Sequence, residues 1–296
     1  MTLKTPLFGY TKSRINMTDK YAVVGYPIAH SKSPLIHRLF AEQTNQDISY
    51  EAILIDNEET SFQYAMEDLK RRGYKGINIT VPFKLDAFEY ANDKSSRAKS
   101  AHAINTFVFN NDGSTTGDNT DGIGLVNDIE INGQRPFKGQ RVLILGAGGA
   151  VQGILEPLLE KQPACVHIAN RTAKRAQVLG ERFDTEVVLS ASGWEDIPTG
   201  TGYDIIINGT SASLDNKLPP ISEEVLKNNS LVYDMMYGAE STIFMNWAKK
   251  HQQDCTVMDG LGMLVGQAAE AFYLWRGIRP ETTPVIAEVR KLMTSD

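Results

Sequence analysis

The chain has 296 residues, of which 42% are hydrophobic and 22% charged, enough apolar content to bury the cores of two compact domains. A formal charge of −6 excludes an extended basic surface for nucleic acid or membrane, so any site for an anion must be local. Cys165 and Cys255 lack CxxC spacing, which excludes a disulfide framework and a cysteine metal site; both read as buried free thiols.

Residues 1–18 are polar, carry Lys4, Lys12 and Arg14, and lack the apolar stretch of a secretory signal. They read as a loose extension, with Met17 available as an alternative start. No apolar run reaches the ~18 residues a membrane span needs. The chain is therefore expected in the cytoplasm, as a monomer or homodimer, with a small-molecule substrate and no nucleic-acid or membrane partner.

Strand-like and helix-like runs then alternate, the pattern of a parallel-rich α/β architecture. Residues 21–25 read as a short buried strand. Ser33-Pro34 opens a helix, with Ser33 as N-cap and Pro34 in the first turn; Leu35, Ile36, Leu39 and Phe40 supply its apolar spacing. Strand 50–55, helix 58–72 and strand 76–80 follow, then helices 83–91 and 94–101 and strand 104–109. Asn110-Asn-Asp-Gly113 is a turn by composition. A second series begins with strand 141–145 and continues through a helix to about residue 161, strand 166–169, helix 173–183 and strands 185–189, 204–208 and 231–234. After Asp259 the chain reads as helical to its end, with Leu261, Leu264, Val265, Ala268 and Phe272 on one face. The expected fold is two α/β units plus a strandless helical tail that must pack on one of the two sheets.

Gly146-Ala147-Gly148-Gly149-Ala150 follows a strand and opens a helix, the context that gives a glycine turn meaning. Gly146 permits the tight turn, while Gly148 and Gly149 let a diphosphate approach the N–H groups at the helix start. At the end of the next strand an NAD enzyme would place Asp or Glu for the ribose hydroxyl. This chain instead offers Asn170, Arg171, Thr172, Lys174 and Arg175, a cluster that matches a ribose phosphate and favours NADP.

Polar groups in the first series gather where strands end: Ser31-Lys-Ser33, Asn78-Ile-Thr80-Val-Pro-Phe-Lys84, Asn105, and Gly117-Asp-Asn-Thr-Asp121. Ligands collect at such carboxyl ends in open parallel sheets. Lys84 falls in the first turn of its helix, where the dipole opposes a cation and stability would select Asp or Glu. That placement suits an amine that exchanges a proton. Asp118 can stabilise its turn and Asp121 can cap the following helix, and spacing does not choose between them. Gln267, among Gly266, Ala268 and Ala269, is an amide with room to reach a partner or ligand. The five histidines show no metal-ligand spacing, and no metal site is expected.

Taken together and in order, these segments resemble the shikimate dehydrogenases. The resemblance adds Ala103-Ile-Asn-Thr106, Tyr233-Asp-Met-Met-Tyr237 and Asp259-Gly-Leu-Gly-Met-Leu264, and runs from about residue 20 to the C-terminus. It implies a reversible, NADPH-dependent reduction of 3-dehydroshikimate to shikimate, on the route to chorismate and aromatic amino acids. It implies Lys84 and Asp121 as the catalytic pair. Ser31, Ser33, Thr80, Asn105, Gln267 and Tyr237 would hold the substrate, and Met235 and Gly260 would lie near the nicotinamide. The implied organisation is a substrate-binding and catalytic domain at 19–120 and 260–296, and a Rossmann NADP domain at 121–259. Three departures stand out: His102 where the family commonly has glycine, Val151-Gln152 in place of a small residue and an arginine, and the extension at 1–18. A quinate/shikimate dehydrogenase using NAD is the nearest alternative, opposed by the basic segment at 170–175. A non-catalytic ligand sensor on the same fold would not need Lys84 with Asp121.

Overall fold

The computed structural model describes residues 18–295 except Asn57, so the expected extension lies, apart from Thr18, outside the described residues. The described residues form two six-stranded sheets. The first contains β1 (Asp19–Gly25), β2 (Ile48–Leu54), β3 (Tyr74–Ile79), β4 (Asp93–Lys94), β5 (Thr106–Phe109) and β6 (Thr115–Asp118), in the order β2-β1-β3-β5-β6-β4. β1 pairs in parallel with β2 and β3, whereas β5 runs antiparallel to both β3 and β6. Helices α1 (Ser33–Thr44), α2 (Phe62–Arg71), α3 (Lys84–Tyr90) and α4 (Ser96–Ala101) connect these strands.

Helix α5 (Asp121–Asn127), continued by a π-turn at Asp128–Asn132, leads into the second sheet. There β7 (Arg141–Leu145), α6 (Gly149–Leu159), β8 (Cys165–Ala169), α7 (Ala173–Gly180) and β9 (Val188–Ser192) form one half. β10 (Tyr203–Asn208), β11 (Leu226–Asp234), α8 (Ile243–His251) and β12 (Thr256–Asp259) form the other. All pairs are parallel, in the order β12-β11-β10-β7-β8-β9. The order reverses between β7 and β10, the crevice where such sheets bind nucleotides.

The tail comprises α9 (Leu261–Arg276) and α10 (Thr283–Met293). It returns to the first sheet: Leu261, Val265, Phe272, Val285 and Val289 bury against Ile36 and Phe40 of α1. Trp275 donates its indole N–H to the Phe107 carbonyl of β5 at 2.9 Å, over Gly76, where a side chain would collide with the indole. No described helix is long and apolar enough to cross a membrane.

Several expected boundaries move for identifiable reasons. Helix α2 starts at Phe62 because Ser61 accepts from the Tyr64 N–H, while Asp56 folds residues 58 and 59 into a turn. Strand β9 lies at 188–192 and not 185–189; its serines look loop-like, but Ser190 and Ser192 both bond the His167 ring on β8, at 2.8 and 2.9 Å. β6 was not expected, since Gly and Asp are poor strand formers. It forms because the turn at 110–113 folds it onto β5, and a side chain at Gly117 would meet Ile104. α8, β12 and the two-residue β4 were likewise not anticipated. Cys255 is buried, but Cys165, at the start of β8, is only partly so.

Candidate active site

The carboxyl ends of β1 and β3, the start of α5, the loop after β11 and the start of α9 enclose a cavity of about 460 Å³. It brings together Ser31, Ser33, Thr80, Lys84, Asn105, Asp121, Tyr237 and Gln267, which lie far apart in the chain, and adds Met235 and Gly260.

Each polar residue is placed by local structure. Lys32, not Ser33, is the N-cap of α1, and no side chain caps this helix; Ser33 is its first residue. The capping expected of Ser33 does not occur; its N–H is taken by the Ser31 hydroxyl at 3.3 Å, and its side chain lines the cavity wall. Thr80 follows β3 and donates its backbone N–H to Val24 at 3.0 Å; Gly25 is the residue that leaves room for the Thr80 methyl group. Lys84 opens α3, and its carbonyl accepts from the Ile104 N–H, tying α3 to the segment that leads through Asn105 into β5.

The two aspartates that spacing left undecided separate cleanly. Asp118 turns away and pairs with Arg97 of α4, which also reaches Glu270 of α9 at 3.4 Å. Asp121 is the first residue of α5 but does not cap it, because both carboxylate oxygens are engaged across the cavity. Oδ2 accepts from Lys84 Nζ at 2.6 Å and Oδ1 from Asn105 Nδ2 at 2.8 Å. Asn105 Oδ1 accepts from the Thr120 N–H at 2.9 Å, and Thr120 Oγ1 lies 3.4 Å from Gln267 Oε1. Lys84, Asp121, Asn105, Thr120 and Gln267 thus form one connected set, with an ammonium and a carboxylate side by side at the cavity surface.

Asn78 and Lys32 also line the cavity, without a role in the sequence reading. Asn78, 5% exposed, accepts from the Tyr50 hydroxyl at 2.7 Å and donates to Thr106 at 3.0 Å, bracing the floor. Its place in the Asn78–Lys84 segment was the available signal. Lys32 lines the rim between the two serines. Tyr237, at the mouth, has its phenol pKa raised by burial and by the charge of Asp259.

The glycine turn borders the second sheet. Gly146 has φ of 107°, a conformation that favours glycine, and its N–H donates to Ala169 at 2.7 Å. Gly148 caps α6 and Gly149 begins it, and a side chain at either would meet no protein atom. An anion can therefore approach the N–H groups at the start of this helix directly. Val151, where the glycine pattern has its third member, is fully buried; it fits because residue 209, opposite it, is glycine. Gln152 faces Arg182 at 3.4 Å. Asn170 donates to the Thr172 carbonyl at 3.0 Å, shaping the turn before α7, on which Arg171, Lys174 and Arg175 are exposed.

A parallel sheet in dinucleotide-binding order, beside a polar cleft walled by a second α/β sheet, defines a two-domain protein of the Rossmann type. Family descriptions match three stretches: a shikimate dehydrogenase substrate binding domain at residues 23–107, a shikimate/quinate 5-dehydrogenase at 130–229, and a shikimate 5′-dehydrogenase C-terminal domain at 260–290. A shikimate dehydrogenase (NADP(+)) of Hydrogenovibrio crunogenus is 72% identical over 277 residues, covering 94% of this chain and 99% of the relative. The crystal structure of an Ael1 enzyme from Pseudomonas putida aligns with a TM-score of 0.87 at 45% identity, covering 91% of this chain and 97% of that one. That of a shikimate 5-dehydrogenase from Thermus thermophilus, in complex with NADP(H) and shikimate, aligns at 0.79 and 30% identity, covering 92% and 99%. The chain belongs to the shikimate dehydrogenase family.

Proposed function

We propose that this protein is an NADP-dependent shikimate dehydrogenase, catalysing the reversible reduction of 3-dehydroshikimate to shikimate. The observation that carries the reading is the Lys84–Asp121 pair, 2.6 Å apart in a cleft shared with the second sheet. Bound NADP supplies the hydride acceptor or donor.

The chain's own groups do the rest. In the reductive direction the Lys84 ammonium gives a proton to the carbonyl oxygen as the ketone becomes an alcohol; in the oxidative direction the neutral amine takes the hydroxyl proton and becomes the ammonium. Asp121, fixed in place by Asn105, accepts from the Lys84 nitrogen and holds it beside the reacting oxygen, so the proton moves between pre-positioned partners. Ser31 and Ser33 donate to the substrate carboxylate, while Thr80, Asn105, Gln267 and Tyr237 hold its remaining polar groups. Met235 and Gly260 form the wall on the nicotinamide side.

For the nucleotide, Gly146, Ala147, Gly148, Gly149 and Ala150 cradle the diphosphate. Asn170, Arg171, Thr172, Lys174 and Arg175 receive the 2′-phosphate, and the open faces of Gly148 and Gly149 fit the diphosphate cradle. In this reading residues 19–120 with 260–296 form the substrate domain and 121–259 the NADP domain. The protein works in the cytoplasm.

The test is NADPH formation with shikimate and then with quinate, followed by NADH formation with each. Shikimate with NADP should give the highest kcat/KM. Quinate with NAD giving the higher value would transfer the assignment to a quinate dehydrogenase.

A further inference from the structure

Beyond the cleft itself, an arginine of the C-terminal helix ties its two walls together. We propose that Arg290 is a positioning residue for the reaction: from α10 it fixes the loop that carries Tyr237 to the start of α9. The proposal rests on the functional reading above.

The geometry is a fork. Arg290 Nη1 donates to the Gly238 carbonyl at 2.6 Å, and Nη2 donates to Asp259 Oδ1 at 2.5 Å. Gly238 directly follows Tyr237, and Asp259 directly precedes Gly260, so one guanidinium holds the residues flanking two parts of the cavity wall. Those parts also meet each other. The Gly260 N–H donates to the Met236 carbonyl at 3.1 Å, and any side chain at Gly260 would collide with the Met235 carbonyl. Asp259 Oδ1 accepts in addition from the Leu261 N–H at 3.2 Å, fixing the entry to α9.

Arg290 itself does not move freely. Val285 and Val289, on the same helix, are buried against Ile36 and Phe40 of α1, the helix that begins at Ser33. The fork therefore fixes the Tyr237 loop relative to the serine wall on the opposite side. Planar, bidentate bonding is a property of arginine that lysine cannot reproduce.

Charge gives the arrangement a second consequence. The Asp259 side chain is only 7% exposed, and its charge reaches the Tyr237 phenol, helping burial to raise that group's pKa. Without Arg290 the carboxylate stands uncompensated beside a cleft that must receive an anionic substrate. Removing the guanidinium should both loosen the loop and weaken substrate capture, while the Gly146–Gly149 cradle, to which the guanidinium makes no bond among the described residues, stays intact.

The experiment compares R290M, R290K and the control K291M, which removes an exposed neighbouring charge, in the full chain. R290M should raise the KM for shikimate about tenfold and lower kcat, with the dissociation constant of NADP+ alone within about twofold of the parent. R290K, which keeps the charge but not the fork, should lie between, and K291M should match the parent. A parental shikimate KM in R290M, or equal losses of substrate and nucleotide affinity, would overturn the assignment. If R290M does not fold, R290K decides: a raised shikimate KM supports the role and a parental one overturns it. Failure of the parent chain to oxidise shikimate would contradict the functional reading instead.

Discussion

Gly124 of α5 lies so close to Gln267 of α9 that a side-chain carbon on residue 124 would stand 2.6 Å from the Gln267 amide nitrogen and 2.6 Å from the Met263 carbonyl. Gly266 faces the same crossing from the other helix. This contact sets the distance between Asp121, one turn earlier on α5, and Gln267. Both clashing atoms are backbone, so neither can rotate away. Gly124→Ala should cost about 1–3 kcal/mol of stability, as overpacking does, and raise the substrate KM. Urea unfolding and steady-state kinetics check both, and an unchanged unfolding midpoint would contradict the close crossing.

Arg97 holds Asp118 in a place where that side chain is 9% exposed. Arg279 still neutralises Glu270 if Arg97 is lost, so Asp118 bears the loss. Stranding a buried charge is expensive. Arg97→Met should destabilise the protein by about 3 kcal/mol or more, measured by chemical denaturation. Because Asp118 sits before the Asn119–Asp121 turn, turnover should fall as well, although Arg97 touches no substrate.

Arg171 is exposed on the turn before α7, where a ribose phosphate is expected. A hydrogen bond to a charged partner contributes about 1.5–3 kcal/mol, so Arg171→Ala should raise the KM for NADP by roughly ten- to a hundredfold. The KM for NAD, which lacks the phosphate, should hardly change. Equal effects on the two cofactors would remove Arg171 from the phosphate site.

His37 is fully buried and stacked 4.1 Å from the Tyr50 ring. Burial pushes its pKa down to about 3. The unfolded chain therefore takes up a proton near pH 6.5 that the folded chain refuses until about pH 3. This contribution is full above pH 6.5 and is lost as pH falls, with a slope of about 1.4 kcal/mol per pH unit. His167, lowered by burial as well, acts in the same direction. Unfolding free energies measured from pH 7 to pH 4 should fall less steeply in His37→Phe than in the parent. Parallel curves would show that His37 is not the buried neutral group.

The second sheet was largely legible because parallel strands buried on both faces read as apolar runs, as in Val142 to Leu145 and Ile205 to Ile207. The first sheet was less so. β6 and β4 are short and polar, and they form only through the partners that the turn at 110–113 and α4 bring to them. The cleft residues were legible as polar groups at strand ends, yet choosing Asp121 over Asp118 by residue pattern alone was impossible. That choice is made by Arg97, 21 residues from Asp118 in sequence, and by Lys84, 37 residues from Asp121. His102, the unusual residue before the Ala103–Thr106 segment, also gains its explanation only in three dimensions. It ends α4 with φ of 48°, a left-handed conformation where glycine is easiest, and its ring rests 4.3 Å from that of Phe88.

The central claim is that Lys84 moves the proton of the reacting hydroxyl while the nucleotide is held elsewhere. Turnover of shikimate by Lys84→Ala, measured alongside its affinity for NADP+, tests this most directly. Losing a general acid–base group should lower kcat by about 10²–10⁴-fold while the NADP+ dissociation constant stays within about twofold of the parent. A variant that folds, binds NADP+ and still oxidises shikimate at the parental rate would contradict the account.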